Sequence, residues 1–113
     1  MRNKALKYFR GVEGYNCAQA VLKACQESHG QVDEEKVRAF MMCGGGLAEG
    51  GKCGALYAAL SIQNSQEKKT EIENRFSEIA GSTKCREIRK LRKVSCRGCV
   101  EAASGILEET LQV

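Results

Sequence analysis

At 113 residues, 42% hydrophobic and 28% charged with a formal net charge of +4, the chain has the size and balance of one domain, residues 1–113, around one core. That balance excludes a disordered or fibrous protein, and no run nears the ~20 apolar residues of a membrane span. Seven cysteines beside a single histidine make sulfur chemistry the first expectation, and an odd count cannot pair wholly within one molecule.

Proline is absent and apolar residues recur at the helical period, so the predicted fold is an all-α bundle of about five to seven helices. A first helix is expected over residues 4–10, stopped by Gly11 and Gly14. Asn16 is placed to cap a second, whose stripe is Ala18, Val21, Leu22 and Cys25 and which Gly30 closes. Asp33 is placed to cap a third with Val37, Phe40 and Met41 on its apolar face. Residues 43–54 then hold six glycines in twelve positions, a density that allows positive φ and close backbone approach. A helix resumes near Gly54 through Leu56, Ala59 and Leu60 and weakens over residues 63–65. The next, over residues 66–80, turns Ile72, Phe76 and Ile79 inward and stops at Gly81. Ser82 or Thr83 caps a short basic helix to about residue 93, and Ser95 caps the last, whose face carries Cys96, Cys99, Val100, Ala103, Leu107 and Leu111.

On this reading Cys17, Cys53, Cys85 and Cys96 all stand at helix starts, where unpaired amides and the helix dipole favour a thiolate. Four such ends converging would make an electropositive pocket suited to sulfur anions. Cys53 is the leading reactive thiol, because it lies where the glycine-rich loop enters a helix beside Lys52; the bland alternative is a small residue filling a tight turn. Cys96-Arg97-Gly98-Cys99 is a C-x-x-C pair on one helical turn, lacking the preceding strand of a thioredoxin and the following histidine of a haem attachment site. Cys96 is its better functional candidate, Cys99 is balanced between core and function, Cys25 reads as core, and Cys43 is undecided. The catalytic candidates are therefore Cys53 and Cys96, with Cys53 attacking as thiolate and another cysteine resolving the mixed disulfide.

Sulfur ligands with little histidine suit an iron–sulfur cluster, zinc or copper(I), with Cys17, Cys53, Cys85 and Cys96 as the candidate metal ligands, although their wide spacing matches no standard metal motif. Gly44, Gly45, Gly46 and Gly54 fit as backbone wrapped around a sulfur, cluster or small ligand rather than as a nucleotide loop, since no strand leads into them. His29 reads as a solvated residue at a helix end. The stretch 84–97 holds seven basic residues and one acid, with Arg86, Arg89, Lys90, Lys93 and Arg97 on one helical face. Without aromatics for base stacking, that stripe argues for a solvated or anion-facing rim rather than nucleic acid. The opening Met1-Arg2-Asn3-Lys4 is followed by an apolar stretch that Lys7 and Arg10 break, so no signal peptide is read. The expected compartment is the cytoplasm, where thiols stay reduced.

In order and type these segments resemble the C_GCAxxG_C_C family, a four-cysteine group assigned a redox role from its cysteines. Tyr15-Asn16-Cys17-Ala18-Gln19-Ala20-Val21 is similar to its first cysteine segment, Gly44-Gly45-Gly46 to its glycine stretch and Cys53-Gly54-Ala55 to the start of its CGAxxG box. Gly81-Ser82-Thr83-Lys84-Cys85-Arg86 is similar to the third cysteine segment, and Cys96 with Val100 and Ala103 to the last. Ala58 stands where the box ends in glycine. The resemblance implies Cys17, Cys53, Cys85 and Cys96 as the working set, and through a related domain of split-Soret cytochromes it leans towards electron transfer or an iron–sulfur centre. The leading expectation is thus a small redox protein that exchanges disulfides or holds a redox metal, served by a redox or metal-donor partner and open to homo-oligomerisation. Its rivals are a non-enzymatic metal-binding or carrier module on the same cysteines, and a helical interaction protein whose cysteines are core.

Overall fold

A computed structural model describes residues 2–11, 14–28, 30, 33–43, 49–63 and 65–111; the side chains of Cys43, Glu49 and Leu111 lie outside that description. Among these residues seven α-helices follow one another: α1 (Arg2–Tyr8), α2 (Cys17–Ser28), α3 (Glu34–Ala39), α4 (Gly54–Ile62), α5 (Gln66–Ala80), α6 (Cys85–Leu91) and α7 (Cys96–Leu111). No strand occurs among them, and only two isolated bridges pair extended backbone, Phe9 with Tyr15 and Lys52 with Lys84. The fold is all-α.

Local chemistry explains the helix ends. Asn16 and Gln19 form a reciprocal capping box: the Gln19 N–H donates to Asn16 Oδ1 at 2.9 Å and the Asn16 N–H to Gln19 Oε1 at 3.1 Å. The same two side chains then reach across the fold, Gln19 Nε2 donating to the Val37 carbonyl and Asn16 Nδ2 to that of Met41. Asp33 caps α3 by accepting from the Glu35 and Lys36 N–H groups. Ser95 Oγ accepts from the Gly98 N–H at 3.0 Å and starts α7. At the end of α5, Gly81 takes the left-handed conformation, φ 89°, that terminates helices with least strain when no Cβ is present.

Helices α2, α4 and α7 pack on one another at the centre, α1 lies against α2 and α7, and α5 against α4 and α7. Between them sits a core led by Phe76, Leu22, Leu56, Ile72 and Leu107, each burial of this kind contributing roughly 1.5–3 kcal/mol. Ala55, Ala58 and Ala59 are wholly buried on α4, so its neighbours approach a surface of methyl groups. Ala58, where glycine was the family expectation, is therefore accommodated in the core. α6 is the exception, packing on no helix to a comparable extent. Ile88 is its main buried anchor, with Cys85 at its first residue.

Several expectations are corrected. Helix α1 ends at Tyr8, two residues short of expectation, with Arg10 in the left-handed region at φ 54°. After α3 the chain tightens into a 3₁₀ turn over Phe40–Cys43, which rotates Met41 to the surface, 62% exposed. Ile79 is likewise exposed and Ala80 takes the inward position, because Phe76 and Ala80 are one turn apart. α6 stops at Leu91, where Arg92 turns left-handed, so Lys93 and Arg97 do not continue the helical face of Arg86, Arg89 and Lys90. Lys93 instead donates to the Glu78 carbonyl near the end of α5. The cap position of α6 is Lys84, with Ser82 Oγ accepting its N–H one step away. Among the described residues no helix is long and apolar enough to cross a membrane.

Candidate functional site

Four helix starts meet on one side of the core. Cys17, Cys85 and Cys96 are the first residues of α2, α6 and α7, and Cys53 is the cap residue of α4. Backbone pairing aligns two of these starts: the Cys53 N–H donates to the Thr83 carbonyl at 2.8 Å while Lys52 bridges Lys84, drawing the entries to α4 and α6 together. On the other side, the Arg10 N–H donates to the Tyr15 carbonyl at 2.8 Å and Phe9 bridges Tyr15, tying the end of α1 to the approach to α2.

The four thiols line one cavity of about 40 Å³, joined by Cys99 and walled by Ile88, Val94 and Arg89. That volume suits one or two water-sized groups. All four cysteines expected to converge do so, and Cys99 is a fifth that sequence left balanced between core and function. Its C-x-x-C spacing from Cys96 was the available signal, since i and i+3 share a helix face. Cys25 is buried in the core away from this cavity, and burial pushes its thiol up to about 11. No disulfide joins the cysteines whose side chains are described.

The electrostatics reverse the expectation for Cys53. The residue is 4% exposed, and Lys52, expected to favour the thiolate, turns its ammonium to Glu73 at 2.8 Å. A hydrogen bond from the Cys17 thiol acts to lower the Cys53 pKa, but a second to Cys99, together with burial, outweighs it and pushes Cys53 up to about 12. Cys53 is thus a protonated link between Cys17 and Cys99 rather than an exposed nucleophile. Cys85 is also raised, chiefly by burial, with the Arg89 guanidinium acting in the opposite sense and the neighbouring Cys96 and Cys17 sulfurs adding to the rise. Of the five, Cys17 and Cys96 retain partial exposure.

Cys96 borders two spaces. It lines the sulfur cavity, and it also lines an open groove of about 500 Å³ with Phe9, Arg10, Ser95 and Arg97. Among the described residues no three Cys, His, Asp or Glu side chains are placed to hold a metal ion, so ligation by Cys17, Cys53, Cys85 and Cys96 would need their sulfurs to close further on one point. Of the glycines expected to wrap a ligand, Gly44, Gly45 and Gly46 lie outside the described residues, as does His29, whereas Gly54 is buried as the first residue of α4. Gly50 and Gly51, both at φ 72°, supply the left-handed turn that leads into Cys53.

A family model described as "Putative redox-active protein (C_GCAxxG_C_C)" matches residues 15–110, a span that contains every cysteine of the cavity. Neither the comparison with curated proteins nor that with solved structures gave a match.

Proposed function

This chain belongs to the C_GCAxxG_C_C family, and from that premise we propose that it is a redox-active thiol protein working by thiol–disulfide exchange, with residues 1–113 acting as one domain. The observation that carries the reading is the position of Cys96 on both the buried sulfur cavity and the solvent-open groove. A disulfide substrate can reach Cys96 from outside while four further thiols wait behind it.

The steps balance without another reactant. The Cys96 thiolate attacks one sulfur of a substrate disulfide, forming a mixed disulfide and expelling the other half as thiolate. Cys99, one helical turn on, attacks Cys96 Sγ, closes a Cys96–Cys99 disulfide and releases the second half. The two cysteine protons leave with the two substrate thiols, so the protein dithiol is oxidised as the substrate is reduced, and the reverse sequence oxidises a dithiol. Cys53 serves as a protonated thiol that hydrogen-bonds Cys99 and steadies it, an assignment supported by its raised pKa. Cys17 and Cys85 complete the wall of the cavity behind Cys96.

Limiting alkylation of the reduced protein with peptide mapping tests this. Cys96 should be labelled first, Cys96→Ser should remove the fast phase with helicity unchanged, and Cys99→Ser should trap the mixed disulfide on Cys96. First labelling at Cys17, or uniformly slow labelling, would sink the assignment. Metal and acid-labile sulfide analysis on anaerobically purified protein is the counter-test, because near-stoichiometric metal would make Cys17, Cys53, Cys85 and Cys96 ligands instead.

A further inference from the structure

We infer that the groove outside Cys96 is a binding site for small anionic disulfides, molecules that carry a carboxylate on each side of the S–S bond; the inference rests on the exchange reading above and names its substrate class. The groove holds about 500 Å³, within the roughly 300–1,000 Å³ of small-molecule sites. Among the described residues its lining contains two guanidiniums, Arg10 and Arg97, and no acid. Neither arginine pairs with a carboxylate among the described residues, in contrast to Lys4, Lys23, Lys52 and Arg75, which do.

Arg10 is also placed rather than free to wander. Its backbone is fixed in the left-handed region at φ 54° by the N–H bond to the Tyr15 carbonyl, and its guanidinium lies over the Phe9 ring, 5.0 Å from the centroid. Arg97 sits one residue past the reactive thiol in the first turn of α7, on a helix end that already favours negative charge. A guanidinium takes a carboxylate through two parallel hydrogen bonds, which fixes direction as well as charge. Two such clamps at the groove that Cys96 lines would hold a dicarboxylate disulfide with its sulfurs at the thiol, and Phe9 gives its aliphatic portion an apolar wall. The chemistry is the exchange already written: the anionic disulfide gains the electron pair, leaves as two anionic thiols, and Cys96 with Cys99 ends as the disulfide.

The test compares three probes on the reduced 113-residue chain: oxidised glutathione as the anionic disulfide, hydroxyethyl disulfide as the neutral one and cystamine as the cationic one. Each rate of modification at Cys96 is divided by that probe's rate with 2-mercaptoethanol, which removes intrinsic reactivity. The anionic probe should exceed the neutral one by about tenfold, as two exposed charge contacts allow. Cystamine should fall below both. Arg10→Gln and Arg97→Gln should each lose a few-fold with oxidised glutathione while leaving hydroxyethyl disulfide within twofold. Equal normalised rates for the three probes, with Cys96 still reacting, would overturn the groove assignment and leave the exchange reading standing. Failure of every probe to modify Cys96 would overturn both.

Discussion

At Cys53 opposing influences meet on one sulfur: a thiol donor from Cys17 that favours the anion, and a bond to Cys99 with burial that disfavours it. Burial and the Cys99 bond win, as burial does at Cys25, and both thiols stay protonated in the fold well above the value near 9 of an unperturbed cysteine. The consequence for stability has a definite sign. A group whose pKa rises on folding contributes its full share below the unfolded value and loses it as pH climbs towards the folded one, because the unfolded chain has released a proton that the native chain retains. The window therefore opens near pH 9 and closes near 11 for Cys25 and near 12 for Cys53. Where both act, unfolding free energy should fall by about 2–3 kcal/mol per pH unit, each group supplying about 1.4. Urea denaturation under reductant at pH 8, 9, 10 and 10.5 measures this, and a flat profile above pH 9 would contradict it. The sequence pointed the other way at Cys53, since helix starts and neighbouring cations are visible in a sequence but burial is not.

Among the elements, α6 stands apart. Each of the other helices packs against at least one neighbouring helix, whereas α6 has seven residues, a left-handed Arg92 at its end and little packing beyond Ile88 and Cys85. Short helices have no independent stability, so α6 depends on the Lys52–Lys84 bridge and those two side chains. Segments with few buried apolar contacts open locally at low free energy. Amides of α6 should thus exchange with deuterium before those of α2, α4 and α7, uncovering the cavity from the side of Cys85 and Ile88, as hydrogen exchange with mass analysis can record. Protection of α6 equal to that of α7 would remove this route into the sulfurs. Much of the element layer was legible beforehand. Residues 66–80 were bounded as found because Gly81 needs a left-handed φ, and Asn16, Asp33 and Ser95 announced their caps through side-chain oxygens. Met41 and Ile79 were misplaced because a 3₁₀ turn and the competing Ala80 shift the inner face by a residue, which hydrophobic period alone does not register.

Across the whole molecule, stability and recognition draw on different forces. The core of Phe76, Leu22, Leu56, Ile72 and Leu107 is dry, while in each ion pair, Lys4–Glu27, Lys23–Glu34, Lys52–Glu73 and Arg75–Glu109, at least one side chain keeps a third or more of its surface in water. Exposed pairs contribute about 0–1 kcal/mol each and weaken with salt, so they cannot hold the bundle together. The cysteine cavity belongs to the first of these regimes, being enclosed by helix starts that the core positions; that convergence of residues 17 to 99 is a tertiary fact, which the shared placement at helix starts could suggest but not establish. The groove with Arg10 and Arg97 belongs to the second. Raising sodium chloride from 0.05 to 0.5 M should then leave the denaturation midpoint nearly unchanged, within about 1 kcal/mol of stability, while the rate of Cys96 modification by oxidised glutathione drops several-fold as the Debye length shrinks from about 14 Å to about 4 Å. Hydroxyethyl disulfide, which carries no charge, should show no such fall. If both probes slowed together, salt would be acting on the fold around Cys96 rather than on the arginines, and the separation of core from rim argued for this bundle would fail.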